Sequence, residues 1–352
     1  MSFLIDAKVF ETQVRADMES ARLSRAFELY YRVRGCIPIW LRQLLQRNRN
    51  KSIDVRPGWF LPDSFMSSLA QELQSRSGEQ VIHAWPDNAD FGLVLTHDVE
   101  TIDGFRNIAK VADIEESLGL RSSWSLVPTS YKIDMGLVRD LVDRGFEIAI
   151  HGHNHDGKLF LSKAVFEHRA TSINKAIGVF AASGFRAPMV HRNLEWLQCL
   201  DIDYDASCFD IDPYQAMPGG VGSIWPFIVG KLVELPYTMP QDHTLTVTLN
   251  ESSGATWRTK LEYLRQRAGM VMMLTHPDYM TTSATIGMYQ NFLEYTQNVG
   301  GYWHALPRDV ASWWRDRDAS EIHVDRIVGP AADRGSIRTL RVDGSELSFF
   351  SG

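Results

Sequence analysis

Residues 92–100 of the 352-residue chain read GLVLTHDVE, in which a largely apolar run leads into one histidine and two acids. The apolar part does not alternate with polar residues, as a strand with one face in water would. A continuous run of this kind is typical of a strand that is buried on both faces of a parallel sheet. The stretch therefore predicts a buried parallel strand whose carboxyl end carries titratable side chains.

The same pattern recurs along the chain, with helical patterns between several of the runs. The further apolar runs are 122–127, 146–150, 185–188, 204–209, 232–235, 270–275 and 302–306. Amphipathic helices are predicted, for example, at 105–118, 135–144, 162–182, 257–268 and 286–297. Alternating strands and helices indicate an α/β fold with a parallel sheet, and the number of units favours a barrel over an open sheet.

Both ends of the chain depart from this alternation. Residues 1–88 are predicted to form a helical, then irregular extension that packs on a barrel of residues 89–318. In residues 319–352, the segments Glu321–Val328 and Ile337–Phe350 are expected to be the two strands of one terminal β-hairpin. The chain is thus predicted to be one barrel with two terminal extensions.

The charge of the chain is unevenly distributed. Its formal net charge is −7, which argues against a general nucleic-acid-binding protein. Residues 22–56 contain nine basic and two acidic residues, so this basic stretch carries +7 and the remainder −14. Within it, Ile37–Arg47 has the pattern of an amphipathic helix with an arginine-rich polar face. That face could contact an anionic membrane surface or a partner, or the helix could pack on the barrel with its basic side in water.

Cysteine usage and targeting signals predict a reducing, cytoplasmic location. The three cysteines, at irregular spacing, form neither a disulfide framework nor a Cys-x-x-Cys pair. Residues 1–20 lack the apolar core of a signal peptide, and no stretch of about 18 uncharged apolar residues predicts a transmembrane helix. This favours a cytoplasmic protein, and the basic stretch leaves open a peripheral contact with the inner face of the membrane.

Titratable residues lie where the predicted strands end, and in an α/β barrel these ends converge on one mouth. Asp98 and Glu100 are two residues apart, so their carboxylates face the same side of an extended segment. One could bind a metal while the other acts as a base, or both could be strand-end acids in solvent. In the segment HGHNHD at 151–156, a helical turn would place His151 and His155 on one face, where they could share an ion. The alternative is a histidine-rich surface loop.

Three further predicted strands carry candidate residues. Arg186 could hold a nearby carboxylate ionised and oriented. His276, between Thr275 and a proline, is a candidate general acid or else a satisfied strand-end histidine. The pattern alone does not distinguish a functional Asp205 from a turn former.

The segments THDVE (96–100), HGHNH (151–155), FRAP (185–188), YDAS (204–207) and LTHP (274–277) resemble, in order, the five motifs of the polysaccharide deacetylases, the NodB-homology or family 4 carbohydrate esterases. The resemblance covers residues 96–277, about half of the chain. Its most specific elements are His-x-x-x-His and Thr-His-Pro. The first motif and residues 235–244 look like a branch associated with bacterial surface-polysaccharide biosynthesis.

The resemblance implies a distorted (β/α)7-type barrel that binds a divalent metal, usually Zn²⁺, and removes the N-acetyl group of an amino sugar. By correspondence with the motifs, His151 and His155 would be metal ligands. Glu100 would be the third ligand and Asp98 the base. The opposite assignment, with Asp98 as ligand, stays open because Val99 occupies the ligand's usual position and glutamate is one methylene longer than the usual aspartate.

The remaining roles follow from the later motifs. Arg186 would position the base, the backbone N–H of Met189 would donate to the oxyanion, and His276 would be the general acid. Asp205 is the candidate for the acid that orients His276. This set suits amide hydrolysis, since an amide is a poor electrophile and its nitrogen leaves only when protonated.

Three functions are therefore compared. The first is a metal-dependent N-deacetylase acting on an N-acetylated sugar or glycan precursor, either nucleotide-linked or lipid-linked. The second is an amide hydrolase acting on a non-sugar C–N bond. The third is a carbohydrate-binding relative without turnover, for which Glu100 would be the characteristic substitution.

Overall fold

The computed structural model describes residues 7–21, 37, 53, 55–215 and 217–351. Its helices are α1 (Lys8–Ser20), α2 (Asp63–Leu73), α3 (Ile102–Ser117), α4 (Met135–Asp143), α5 (Lys163–Phe180), α6 (Ala255–Arg265), α7 (Ser283–Val299) and α8 (Pro307–Asp318). Its strands are β1 (Gln80–Ile82), β2 (Phe91–Val99), β3 (Ser123–Leu126), β4 (Glu147–His151), β5 (Gly184–Arg186), β6 (Tyr204–Asp205), β7 (Phe227–Val229), β8 (Leu232–Glu234), β9 (Met270–Thr275), β10 (Tyr302–His304), β11 (Glu321–His323), β12 (Arg326–Val328), β13 (Ile337–Asp343) and β14 (Glu346–Ser351). Within these described ranges, no helix combines the length and the apolar character needed to cross a membrane.

Seven parallel strands form the barrel, in the order β9-β2-β3-β4-β5-β6-β8. The long strand β2 pairs with β9 along one edge and with β10 and then β3 along the other. After β8, the backbone N–H groups of Thr238 and Met239 donate to the Met272 carbonyl of β9 at 3.3 and 3.2 Å. This contact brings the two ends of the sheet together, and the predicted distorted (β/α)7-type barrel is confirmed.

The paired strands β2 and β9 are buried along their whole length, as their apolar sequences predict. Gly92 lets the Trp85 ring pack directly on β2, because a Cβ there would lie 2.7 Å from the ring. The indole N–H groups of Trp85 and Trp225 both donate to the Ala268 carbonyl, each at 2.8 Å. Loss of one such buried ring costs about 3–5 kcal/mol, so these tryptophans fix the start of β9.

Side-chain caps start four of the barrel helices. The caps are Thr101 for α3, Asp134 for α4, Ser162 for α5 and Thr282 for α7. Each accepts a hydrogen bond from a backbone N–H of the first helical turn, which stabilises a helix by about 1 kcal/mol. Because each cap lies in a loop that follows a barrel strand, the caps also fix the path of the loops at the mouth.

Helix α1 packs on the barrel through aromatic and charged contacts. The Phe10 ring lies 6.4 Å from Phe65 of α2 and 5.0 Å from Phe227 of β7, measured between centroids. Asp17 forms a fully buried ion pair with Arg192, in the segment between β5 and β6. Apart from Ile37, the predicted helix Ile37–Arg47 lies outside the described residues, as does most of the basic stretch 22–56.

The C-terminal residues form β-hairpins, with one difference from the expected arrangement. Each of the two segments predicted as a single strand is itself a hairpin, β11–β12 and β13–β14. Left-handed residues at the turns, Val324 (φ 61°) and Gly344 (φ 61°), reverse the chain within each segment. Strand β13 also pairs antiparallel with β1, so the two terminal extensions share a small sheet.

Candidate active site and metal centre

The candidate residues come from the carboxyl ends of separate parallel strands. Asp98 is the penultimate residue of β2, and His151, Arg186 and Asp205 are the last residues of β4, β5 and β6. His276 directly follows β9. The parallel order of these strands places their carboxyl ends at one mouth, as the sequence predicts.

Glu100, His151 and His155 form a group suited to a metal ion. Their ligand atoms all lie within 4.8 Å of one another, and Oε1 of Glu100 is 3.0 Å from Nε2 of His155. One carboxylate and two imidazoles are a common donor set for Zn²⁺ and related divalent ions. The grouping contains Glu100 rather than Asp98.

The two histidines meet through a turn and not through the helical turn considered from the sequence. His151 ends β4, while Gly152 (φ 65°) and His155 (φ 52°) are left-handed and interrupt any regular helix. A Cβ at Gly152 would overlap the Pro188 ring, so the histidine loop packs tightly on the segment after β5. Glycine is required here both for its conformation and for the close approach.

The histidine loop, residues 151–157, is also held from two sides. The Thr129 hydroxyl donates to the His153 carbonyl at 2.6 Å, from the segment after β3. Arg169 of α5 donates to both carboxylate oxygens of Asp156, at 2.7 and 2.8 Å. Burial would raise the pKa of Asp156, but the bonds from Arg169 outweigh it and lower the pKa to about 2. These contacts fix the loop that carries His155.

His151 is arranged as a neutral ligand. Its Nδ1 lies 3.1 Å from the Arg186 carbonyl, which only accepts, so Nδ1 carries the proton. Its Nε2 is buried and has no hydrogen-bond partner in the described part of the chain. Burial lowers the pKa of His151 to about 4, so the ring is neutral near pH 7. A buried imidazole nitrogen with a free lone pair, oriented by a carbonyl on the other nitrogen, fits a metal ligand.

Asp98 is bound by Arg186. The guanidinium Nη1 donates to Oδ1 of Asp98 at 3.0 Å, and its Nε donates to the Ala206 carbonyl at 2.8 Å. Both side chains are almost fully buried. Burial would raise the pKa of Asp98, but the attraction of His151, protonated only at low pH, and of the Arg186 guanidinium outweighs it and holds the pKa below its usual value. Asp98 is therefore a carboxylate at neutral pH and can accept a proton.

The acid that orients His276 is Asp242, which corrects the choice of Asp205. Oδ1 of Asp242 accepts from Nδ1 of His276 at 2.8 Å, and Oδ2 accepts the His276 backbone N–H at 2.9 Å. Burial would lower the pKa of His276, but Asp242 outweighs it and raises the pKa to about 10. His276 is thus an imidazolium at neutral pH, as a general acid requires.

Asp205 has a different set of contacts. It accepts hydrogen bonds from the backbone N–H and the hydroxyl of Ser207, at 3.1 and 2.8 Å, and lies beside Glu234 of β8. Burial raises the pKa of both acids. Asp205 is therefore engaged by Ser207, two residues along the chain, and by Glu234 of the neighbouring strand, rather than by His276. The motif PQDH at 240–243 contained the missed acid, but a loop residue cannot be placed by strand periodicity.

Met189 lies in a strained segment next to the histidine loop. Met189 (φ 58°) and Val190 (φ 50°) are both left-handed, which is costly for residues with side chains. Such strain persists where the surrounding structure enforces it, often at functional sites. Met189 and His155 also line the same small pocket. The candidate donor to an oxyanion is therefore close to a candidate metal ligand.

No protein-family profile matches the sequence, and no curated protein matches it. The structure is similar to a protein of Mycobacterium smegmatis named as a polysaccharide deacetylase, with a TM-score of 0.56 and 18% identity over 70% of this chain and 97% of that one. The allantoinase PuuE aligns with a TM-score of 0.54 and 13% identity over 66% and 92% of the two chains. A protein of Pseudomonas aeruginosa PAO1 named as a polysaccharide deacetylase aligns with a TM-score of 0.52 and 14% identity over 66% and 93%. The chain therefore has the barrel fold of structures named as polysaccharide deacetylases and of an allantoinase.

Proposed function

We propose that the chain is a metal-dependent hydrolase that removes an N-acetyl group from an amino sugar in a polysaccharide or glycan precursor. The observation that carries this proposal is the cluster of Glu100, His151 and His155, whose ligand atoms lie within 4.8 Å of one another. The ion pair of Asp98 with Arg186 adjoins this cluster, because Nδ1 of His151 is 3.6 Å from Oδ2 of Asp98. The ordered motifs and the fold likeness to polysaccharide deacetylases support the same activity.

The protein would hold the ion through Glu100, the buried Nε2 of His151 and a ring nitrogen of His155. An ion bound there supplies a Lewis acid that polarises the amide carbonyl and acidifies water. We assign Glu100 as the ligand and Asp98 as the base, because Glu100 and not Asp98 belongs to the cluster. Zn²⁺ suits this donor set, although two histidines and one carboxylate also accept other divalent ions.

The protein's own groups would then move the protons. Asp98, held ionised by Arg186, accepts a proton from the attacking water. The backbone N–H of Met189 donates to the oxyanion that develops on the carbonyl oxygen. His276, kept protonated by Asp242, donates its proton to the departing amine nitrogen. Each carboxylate–cation pair thus fixes one partner in the protonation state that its step needs.

The likeness to an allantoinase favours one second candidate, an amide hydrolase acting on a non-sugar C–N bond. The same base, acid and metal cluster would serve any linear amide, so the substrate decides between the two. A nucleotide-linked or lipid-linked sugar precursor is the substrate form that we propose first. A lipid-linked precursor would give the basic stretch 22–56 a role at an anionic surface.

The test measures metal content and product release together. We expect about one divalent ion per chain in the purified protein and release of acetate from an N-acetylated glycan precursor. Formate or ammonia release from ureides or formamides, without acetate, would favour the second candidate. His151→Ala should lose both the ion and the activity. An active protein without metal, unaffected by His151→Ala, would contradict the proposal, and binding of metal and glycan without hydrolysis would indicate a relative without turnover.

A further inference from the structure

The peptide group between Val99 and Glu100 is held at both of its polar atoms. The Tyr131 hydroxyl donates to the Val99 carbonyl oxygen at 2.7 Å. The Glu100 N–H donates to Oδ2 of Asp278 at 3.1 Å. Tyr131 and Asp278 lie in the loops after β3 and β9, the two strands that flank β2 at its carboxyl end. Two loops therefore hydrogen-bond to the one peptide group between Val99 and Glu100, which lies between the candidate base Asp98 and the side chain of the candidate ligand Glu100.

Asp278 holds the next residue as well. Its Oδ1 accepts the Thr101 backbone N–H at 3.1 Å and the Thr101 hydroxyl at 2.5 Å. Thr101 is the cap of α3, so the same carboxylate fixes the start of that helix. Gly104, in the first turn of α3, leaves the space for Asp278, because a Cβ there would collide with the carboxylate. Four polar contacts thus converge on this short segment from outside β2.

We propose that Asp278 and Tyr131 are positioning residues, which orient the backbone of Glu100 so that its carboxylate can bind the metal. This inference rests on the proposed function, in which Glu100 is the third ligand. Strand β2 ends at Val99, so no strand ladder fixes the backbone of Glu100. A glutamate also has one more rotatable bond than an aspartate, so its carboxylate depends more on where the backbone directs the side chain.

The same contacts would separate the roles of the two acids. Asp98 is inside the strand ladder, paired with Ser125 of β3, and is bonded to Arg186. Glu100 is two residues further and directed towards the histidines, with Oε1 3.0 Å from His155. Rotation of the peptide group between Val99 and Glu100 would move the ligand while leaving the base in place. Neither Asp278 nor Tyr131 is placed among the metal ligands or the proton-transfer groups, so their effect would act through Glu100.

The test is the Zn²⁺ affinity of the full chain, measured by competition with a chromogenic chelator. Tyr131→Phe removes only the hydroxyl. Asp278→Asn keeps an oxygen for Thr101 but presents an NH₂ group to the Glu100 N–H. Gly104→Ala displaces the carboxylate while favouring the helix by about 0.5–1 kcal/mol. We expect each variant to bind Zn²⁺ about 10-fold to 100-fold more weakly, the usual effect of losing an outer contact to a ligand.

Matched controls separate positioning from general destabilisation. Gly178→Ala in α5 places a methyl group where no atom lies within 4 Å. Tyr295→Phe in α7 removes a hydroxyl that donates to Glu262 of α6 at 3.1 Å. Both controls should keep the Zn²⁺ affinity of the wild type. Thermal unfolding of all variants checks that they fold. If Asp278→Asn does not fold, the Zn²⁺ affinities of Tyr131→Phe and Gly104→Ala test the proposal.

The outcomes distinguish this inference from the proposed function. A wild type that binds one Zn²⁺, with all three variants binding equally tightly, overturns the inference and leaves the proposed function standing. A wild type that binds neither Zn²⁺ nor another divalent ion overturns both. If Tyr131 and Asp278 position Glu100 as proposed, their effects should not be additive, since both contacts orient one peptide group. The double variant Tyr131→Phe/Asp278→Asn should then lose less Zn²⁺-binding free energy than the sum of the losses in the two single variants.

Discussion

Nδ1 of His276 lies 2.8 Å from Oδ1 of Asp242, and the other oxygen of that carboxylate accepts the His276 backbone N–H at 2.9 Å. Asp242 therefore fixes both the ring and the main chain of the proposed general acid. Burial alone would lower the pKa of His276, but the Asp242 carboxylate outweighs it and raises the pKa to about 10. The protonation of His276 is thus set by a residue of another loop.

Replacing Asp242 should change the pH dependence of the reaction. In Asp242→Asn the largest of the charges that raise the pKa of His276 is gone, so that pKa should fall and the ring should lose its proton at a lower pH than in the wild type. We expect kcat at pH 8 to fall by about 10²-fold to 10⁴-fold, the usual range for a lost general acid, with partial recovery towards pH 6. His276→Gln is the control, because it should lose activity without that recovery. A profile with an unchanged shape in Asp242→Asn would argue against His276 as the acid.

The same pair should make the stability of the metal-free protein depend on pH. The pKa of His276 is raised on folding from the ordinary value of 6.5 to about 10. The stabilisation from the pair is therefore fully present below pH 6.5 and is lost as the pH rises through 10. The free energy of unfolding of the wild type, measured in urea, should fall over this window more steeply than that of Asp242→Asn. Parallel curves for the two proteins would show that the pair does not titrate in this way.

The two acids of the first motif should separate metal binding from proton transfer. Glu100→Gln removes a charged ligand, so it should weaken Zn²⁺ binding by about 10-fold or more and lose activity with it. Asp98→Asn should keep the ion but lower kcat by about 10²-fold to 10⁴-fold, because the water's proton has no acceptor. Metal content and kcat are measured on the same samples. If Asp98→Asn loses the ion while Glu100→Gln keeps it, the two roles must be exchanged.

The strands were predictable because they depend on short-range patterns. The run GLVLT predicts a strand buried on both faces. Parallel strands then bring Asp98, His151 and Arg186 to one mouth, independently of the conformation of the loops. The cluster of Glu100 with His151 and His155 is the set that the resemblance to the polysaccharide deacetylases implied, whereas the residue pattern alone did not distinguish Glu100 from Asp98. The confirmed barrel shows how much of the fold follows from the alternation of strands and helices.

The contacts between loops were not predictable in the same way. Asp242 reaches His276 from a segment with no strand or helix periodicity, so the sequence did not favour it over Asp205. The prediction of a helical turn at 151–155 was wrong because Gly152 and His155 adopt left-handed conformations, which a residue pattern does not specify. Each C-terminal segment was read as one strand because residues such as Val324 rarely form a left-handed turn. These features depend on packing between distant parts of the chain.

The basic stretch 22–56 gives a prediction that rests on charge alone. Reversing Arg42, Arg47, Arg49 and Lys51 to glutamate should abolish binding to vesicles of phosphatidylcholine and phosphatidylserine, since each basic residue near such a surface contributes about 1 kcal/mol. Binding of the wild type, measured by co-sedimentation, should weaken at high salt and be absent with phosphatidylcholine alone. Metal content should not change. Equal binding by both proteins would favour the alternative in which the basic residues are only solvated.

Gly152 and Gly119 form a matched pair that tests how the histidine loop is held. Both are left-handed, at φ 65° and φ 69°, so alanine costs about 1–2 kcal/mol of conformational energy at either position. Only at Gly152 would the new Cβ overlap the Pro188 ring, since no atom lies within 4 Å of a Cβ at Gly119.

Gly119→Ala should therefore lose about 1–2 kcal/mol of unfolding free energy and keep its full metal content. Gly152→Ala should lose more, and it should bind Zn²⁺ at least about 10-fold more weakly, because the loop must move away from Pro188 and take His155 with it. Urea unfolding and chelator competition measure the two quantities. Equal behaviour of the two variants would mean that His155 reaches the metal cluster without the close packing of its loop on Pro188.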